Sequence, residues 1–284
     1  MSSVTDPVDD RLHILIRGGN DIGSAVAHRL FTAGYPVVIL EAPQPLTVRR
    51  GMAYAQAIYD GTVTLERVTA ERIASVDEVE DRLRARTTIP VLGVSGDASL
   101  TMLRPGVIVD ARMRKKERST SRTGDAPLVI GLGLGFTAGV EAHVVIETNR
   151  GLNLGRIITE GDADAYTGEP IEIAGHSKDR YLYAPHAGVF RTPHDLGDQV
   201  EAGQAIGRLE GTILTAKVGG IIRGIVKSGL HVAEGAKLAD IDPRRQQAAL
   251  SEISQKAWRI ADSVLSVIRE SGLLRRDHQA KGGR

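Results

Sequence analysis

An α/β fold is predicted: a doubly wound, mostly parallel sheet, followed by a small all-β unit and a C-terminal helix. Three observations point there. A strand–glycine turn–helix–strand pattern opens the chain, a repeat at an offset of 32 residues with strand-like spacing occupies residues 184 to 239, and a 3-to-4 apolar stripe closes it. At 284 residues the chain has length for about two domains. The boundaries read from the pattern are 11–180 for the α/β ligand-binding region, 181–244 for the repeat, 246–271 for the helix and 275–284 for a frayed tail.

The opening pattern is "LHILIRGGNDIGSAVAHRLFTAGYPVVILE". Leu12 to Ile16 is a short apolar, β-branched run. Ile22, Val26, Leu30 and Phe31 then keep helical spacing, Gly34 suits the position past a helix end, and Pro36 to Leu40 reads as a second strand closed by Glu41. Such a βαβ unit begins a Rossmann-like sheet. Beyond it, "IPVLGV", "GVIVDAR", "LVIGL" and "HVVIET" read as further strands, and "KKERSTSRTGD" (115–125) as a polar loop.

The repeat aligns Ala184 with Ala216, Gly188 with Gly220, Gly197 with Gly229, Val200 with Val232 and Gly203 with Gly235. Each half reads strand, turn, strand, and two halves paired about a pseudo-dyad bury one apolar face. The pattern resembles the biotinyl/lipoyl barrel-sandwich hybrid. A carrier domain presents its modified lysine on the hairpin between halves; here that hairpin is "GRLEGTILT", without lysine, so a covalent prosthetic group is not expected. In the final helix, Leu250, Ile253, Ala257, Ile260, Val264 and Ile268 form the stripe.

Composition excludes several classes. Thirty-six Lys and Arg balance 35 Asp and Glu, and aromatics are 4%, so neither the field nor the stacking platforms for nucleic acid are present. No apolar run approaches the ~18 residues of a membrane span, and the polar, acidic start is unlike a secretory signal, so no membrane partner and a cytoplasmic location are expected. With no cysteine, thiolate metal sites and persulfide relays are ruled out. His176, His186 and His194 lack ligand spacing, so no metal is expected. No Walker loop, G-x-S-x-G or H-E-x-x-H occurs; no catalytic residue is identified, and a binding role is favoured over catalysis.

Two glycine loops are the candidate ligand sites. In "RGGNDIG", Gly18 and Gly23 suit a phosphate-binding turn, Gly19, Asn20 and Asp21 lie between them, and Glu41 stands where a ribose acceptor belongs. Asn20 occupies the position where the dinucleotide fingerprint has its second glycine. In "PLVIGLGLGFTAG", Gly131, Gly133, Gly135, Phe136, Thr137 and Gly139 form a strand-end loop whose amides could make an anion nest; a plain structural turn is the rival. Glu147 and Asp110 end strands, and Arg49, Arg50, Arg112, Arg150 and Arg156 could complete an anion site.

Together, "IRGGNDIGSAVAHRL", "VVILEAPQPLTVRRGMAYAQAIYDG", "VIVDARM", "IGLGLGFTAGVEAHVVIETNRGLNLGRIITEGDADAYTGEP" and "ISQKAWRIADSVLSVI" resemble the accessory proteins of the selenium-dependent molybdenum hydroxylase system, distantly XdhC-like. Leu134 stands where that family has proline, and Leu152 and Asn153 replace its histidine after "RG". The resemblance implies a maturation factor binding or delivering a molybdopterin-type cofactor, including its dinucleotide form, non-covalently at Gly18–Gly23 and Gly131–Gly139. It implies a molybdenum hydroxylase client and a cysteine desulfurase as partners, and homo-oligomers are compatible with it. Two alternatives stand beside it: an NAD(P)-dependent oxidoreductase using Gly18–Gly23 and Glu41, and a non-enzymatic scaffold docking a partner through the repeat.

Overall fold

The computed structural model describes residues 13–96, 102–114, 118–165, 172–245 and 250–273. The expected tail at 275–284, part of the 115–125 loop and the "TGEP" element lie outside the described residues.

The first strands are β1 (Ile14–Arg17), β2 (Val37–Glu41), β3 (Thr62–Leu65), β4 (Val68–Ile73), β5 (Ile89–Gly93) and β6 (Val107–Asp110). They are followed by β7 (Leu128–Leu132), β8 (Thr137–Ala138), β9 (Val144–Ile146), β10 (Ile157–Ile158) and β11 (Gly161–Asp162). Nine of these form one sheet in the order β10-β9-β7-β6-β1-β2-β5-β4-β3. From β9 to β4 every neighbour is parallel, and antiparallel β10 and β3 close the two edges. Strands buried on both faces read as continuous apolar runs, which is why "ILI" and "VIV" carry no polar alternation.

Helix α1 (Asp21–Thr32) and the C-terminal helix (Gln255–Ser271) cover one face, where Ile14 and Ile16 meet Val26, Leu30, Ile260, Val264 and Ile268. Alternation sends Leu15 to the other face, with Val38, Ile108, Val129 and Phe136. Among the described residues that second face carries the short α3 (Val79–Ala85), which follows the single turn α2 (Ala57–Asp60), together with Leu103 and the irregular chain from 136 to 163. The connection from β7 to its parallel neighbour β9 runs through residues 133–143 and holds the two-residue β8 in place of a crossover helix. The expected Rossmann-like doubly wound sheet is therefore corrected: this is a mixed α/β fold on a large, mostly parallel sheet, with one full helical layer and antiparallel edges.

The remaining strands are β12 (Tyr181–Tyr183), β13 (Gly188–Arg191), β14 (Gln199–Val200), β15 (Ala205–Leu209), β16 (Thr212–Thr215), β17 (Gly220–Ile225), β18 (Leu230–Val232) and β19 (Lys237–Asp242). They form two antiparallel four-stranded sheets, β12-β19-β17-β14 and β16-β15-β13-β18. Each strand's counterpart 32 residues later sits in the opposite sheet: β13 with β17, β14 with β18, β15 with β19. Phe190, Ile206, Leu209, Ile222, Leu238 and Ile241 fill the space between. The likeness to a biotinyl/lipoyl-type domain is corrected to this pair of packed sheets. The turn between β15 and β16 is Glu210–Gly211, with no amine to carry a prosthetic group.

The two units join along residues 46–51. Val48 packs into the β-sheet core, Ile225 N donates to Val48 O (2.8 Å), and Arg50 reaches Ile225 O (2.9 Å) and Asp195 (2.5 Å). Among the described residues no helix is long and apolar enough to cross a membrane.

Candidate functional site

A cleft of about 970 Å³ opens where the carboxyl ends of β1, β7 and β9 meet the all-β unit. In open α/β sheets that edge is where ligands bind. One wall is the start of α1 (Asn20 to Ile22), with Leu132, Leu134 and Glu147 to Arg150; the other is Arg180, Tyr181, Arg223 and Lys237. Arg49 from the joining segment, Arg114, and Ser254 to Lys256 from the last helix complete it.

Seven cations line this cleft (Arg49, Arg114, Arg150, Arg180, Arg223, Lys237 and Lys256) against three acids, Asp21, Glu147 and Glu252. Glu147 is already engaged, accepting from the backbone N–H of Asn149 (2.6 Å) and Asp164 (2.6 Å). Behind the wall, Asp240 accepts from Arg180 (2.9 Å) and Arg223 (2.7 Å), and Lys237 Nζ lies 3.6 Å from it. One carboxylate thus serves three cations. Its neighbour Asp242 pairs with Arg244 (3.0 and 2.7 Å). The net charge facing the cleft is positive, seven cations to three acids. Burial and the adjacent Arg223 both press the Arg49 and Arg150 guanidinium groups below their ordinary value. Burial, opposed by Asp240 but helped by Arg223, Arg49 and Arg180, lowers the Lys237 ammonium to about 8.

The expected site residues separate into two groups. Asn20, Asp21, Glu147 and Arg150 line the cleft. Gly18, Gly19, Gly23, Glu41, Gly131, Gly133, Gly135, Phe136, Thr137 and Gly139 do not. In the first turn, Asn20 Oδ1 accepts from Ile22 N (2.9 Å) and Gly23 N (3.0 Å), and its amide donates to Ala111 O (2.6 Å). The helix start is capped from within. Gly19 N donates to Glu41 (2.6 Å), and a Cβ on Gly23 would overlap Gly18 O. These glycines let α1 pack close to the sheet.

The second loop behaves alike. A Cβ on Gly131 would fall within the buried Phe136 ring, and one on Gly133 would overlap the Thr148 hydroxyl. Gly133 N donates to Ile146 O (2.9 Å), Thr137 N to Glu141 (2.8 Å) and Gly139 N to Ala142 O (2.7 Å). The hollow that an anion nest would need is filled by Phe136.

Among the other expected basic groups, Arg112 pairs with buried Asp110 (2.9 and 2.5 Å), Arg156 with Asp164 (3.0 Å), and Arg50 holds the unit junction. Asp110 also accepts from Ser119 and Ser121 (each 2.8 Å), pinning that loop to the sheet. Among the described residues no group of three His, Asp or Glu side chains could hold a metal ion.

No family model matches the chain. It is 42% identical over 255 residues to "Uncharacterized protein YqeB" of Escherichia coli (strain K12), covering 90% of this chain and 47% of that protein. The chain thus spans about half the length of the curated relative it matches. Solved structures it matches include a succinylglutamate desuccinylase/aspartoacylase from Rhodobacter sphaeroides (22% identity, 31% of this chain and 30% of that one, TM-score 0.21). Another is the product-bound ectoine utilization protein EutE (DoeB) from Ruegeria pomeroyi (11%, 80% and 56%, TM-score 0.23). A third is an aspartoacylase family protein from Mesorhizobium loti (13%, 81% and 84%, TM-score 0.25). At those scores the likenesses transfer neither fold nor activity.

No family model and none of these names points to a molybdenum hydroxylase accessory protein, and the XdhC-like resemblance is corrected on that finding. The maturation role and the molybdopterin-type cofactor fall with it, since the loops meant to hold the cofactor are closed by Asn20 and Phe136. The NAD(P) alternative fails because the carboxylate meant for ribose holds Gly19 N. Nothing supports the scaffold alternative.

Among the cleft residues absent from the sequence expectation are Arg180, Arg223 and Lys237, with Asp240 behind them. The available signal was "KLADID", which sets three ionisable groups in an otherwise apolar strand.

Proposed function

We propose that the cleft binds a small polyanion, a molecule carrying phosphate or clustered carboxylate groups. The observation that carries this reading is the cation excess at the carboxyl edge of the parallel sheet. Arg49, Arg150 and Arg223 present planar donors suited to oxyanions, and the Asp240 carboxylate behind the wall is shared among three cations. Arg223 Nε is buried and without a hydrogen-bond partner among the described residues, a donor that an anion could satisfy.

Calorimetric titration at constant ionic strength with inorganic pyrophosphate, citrate and monovalent acetate tests this. Binding of pyrophosphate or citrate, weakened by salt and absent for acetate, is expected. Equal, negligible heats for all three would remove the proposal.

A further inference from the structure

Among the clustered cations of the cleft, Lys237 differs in chemistry from Arg49, Arg180 and Arg223. A guanidinium does not deprotonate in proteins, whereas an ε-ammonium that loses its proton is a nucleophile. Its Nζ lies 3.4 Å from the Tyr181 ring centroid and 3.6 Å from Asp240, on the cleft wall, with a side chain 31% exposed. Asp240 on its own strand, Arg223 on β17, Arg180 and Tyr181 beside it and Arg49 on the joining segment are the groups that face it. Three fixed positive charges against one shared carboxylate disfavour a fourth.

We propose that Lys237 is a reactive amine that condenses with the carbonyl of an anionic aldehyde or keto compound held in this cleft. The inference rests on the polyanion reading: the guanidinium groups hold the anion and so place its carbonyl beside Nζ. In the condensation, Nζ first gives a proton to solvent. The free amine then attacks the carbonyl carbon, forming a C–N bond, and the carbinolamine oxygen leaves as water, so that an imine remains. With a pKa of about 8, Lys237 holds roughly a few hundred times more free amine at pH 7 than a solvated lysine does.

The test uses the full chain with pyridoxal 5′-phosphate in one arm and phosphate-free pyridoxal in the other. Borohydride reduction converts any imine to a stable secondary amine, located by peptide mass spectrometry. Lys237 is expected to carry roughly tenfold more label than any other lysine in the phosphate arm at pH 7, with pyrophosphate competing it away and little label in the pyridoxal arm. Lys237→Arg and Lys237→Gln both lose that label. Should neither variant fold, the wild-type competition decides alone. Label spread over surface lysines while pyrophosphate still binds overturns the reactive amine and leaves the anion reading intact. Label on Lys237 that ignores both the phosphate group and pyrophosphate overturns the anion reading, and this inference with it.

Discussion

Arg180 and Asp240 form an ion pair at 2.9 Å with side chains only 1% and 2% exposed, at the base of the cleft wall. Removing one member of such a pair leaves the other buried and under-satisfied, at about 3–5 kcal/mol. Asp240 keeps Arg223 at 2.7 Å, which places Arg180→Met near the lower end, about 3 kcal/mol. Urea unfolding should show a lower midpoint with an unchanged slope.

Arg150 makes no hydrogen bond or ion pair among the described residues, although it lines the cleft. Arg150→Ala should therefore leave the melting temperature unaltered. If it contacts the anion, its charge-assisted bond is worth about 1.5–3 kcal/mol, so pyrophosphate affinity should fall roughly ten- to a hundredfold. Titration calorimetry and a thermal scan on the same variant separate the two effects.

Gly23 touches Gly18 O with no room for a Cβ, and the obstacle is backbone. Gly23→Ala should push α1 from the sheet at about 3 kcal/mol, the upper end for overpacking. Gly124→Ala, where nothing lies within 4 Å, should be close to neutral. Chemical denaturation of the pair checks the contrast.

Glu141 is held down to about 2, first by the Arg118 hydrogen bond and further by the Thr137 backbone N–H, against the cost of burial. A depressed carboxyl contributes stability above its unfolded value and loses it as pH falls toward the folded one. Glu141→Gln should thus melt below wild type at pH 7, with the gap narrowing under pH 4 and closing near pH 2. Parallel thermal scans across that range measure it.

Much of the chain was legible residue by residue. The runs at Ile14–Ile16 and Pro36–Leu40 are apolar and β-branched because both faces of the sheet are covered, and the 3-to-4 stripe from Ile253 to Ile268 marks the helix that packs on α1. The repeat showed in its glycines, which mark turns. The glycine loops misled for a physical reason. A glycine that admits a phosphate and one that admits Phe136 or Thr148 look identical in a sequence, because both answer to the missing Cβ. The cleft itself was illegible beyond Asn20, Asp21, Glu147, Arg49 and Arg150. Arg223 and Lys237 lie on strands of the second unit and Arg180 in the turn before its first strand, and the docking of Val48 and Arg50 against that unit carries them over the sheet edge.

The two halves of the β-repeat share a backbone plan but not a chemistry. Thirty-two residues before Lys237, Asp240 and Asp242 stand Ala205, Arg208 and Glu210, while Arg191 matches Arg223. Within the repeat, the side chains that line the cleft thus come from the second copy, while the first serves the packing of the two sheets. A tandem built from two first halves would keep the paired sheets and put alanine and arginine where Lys237 and Asp240 now stand.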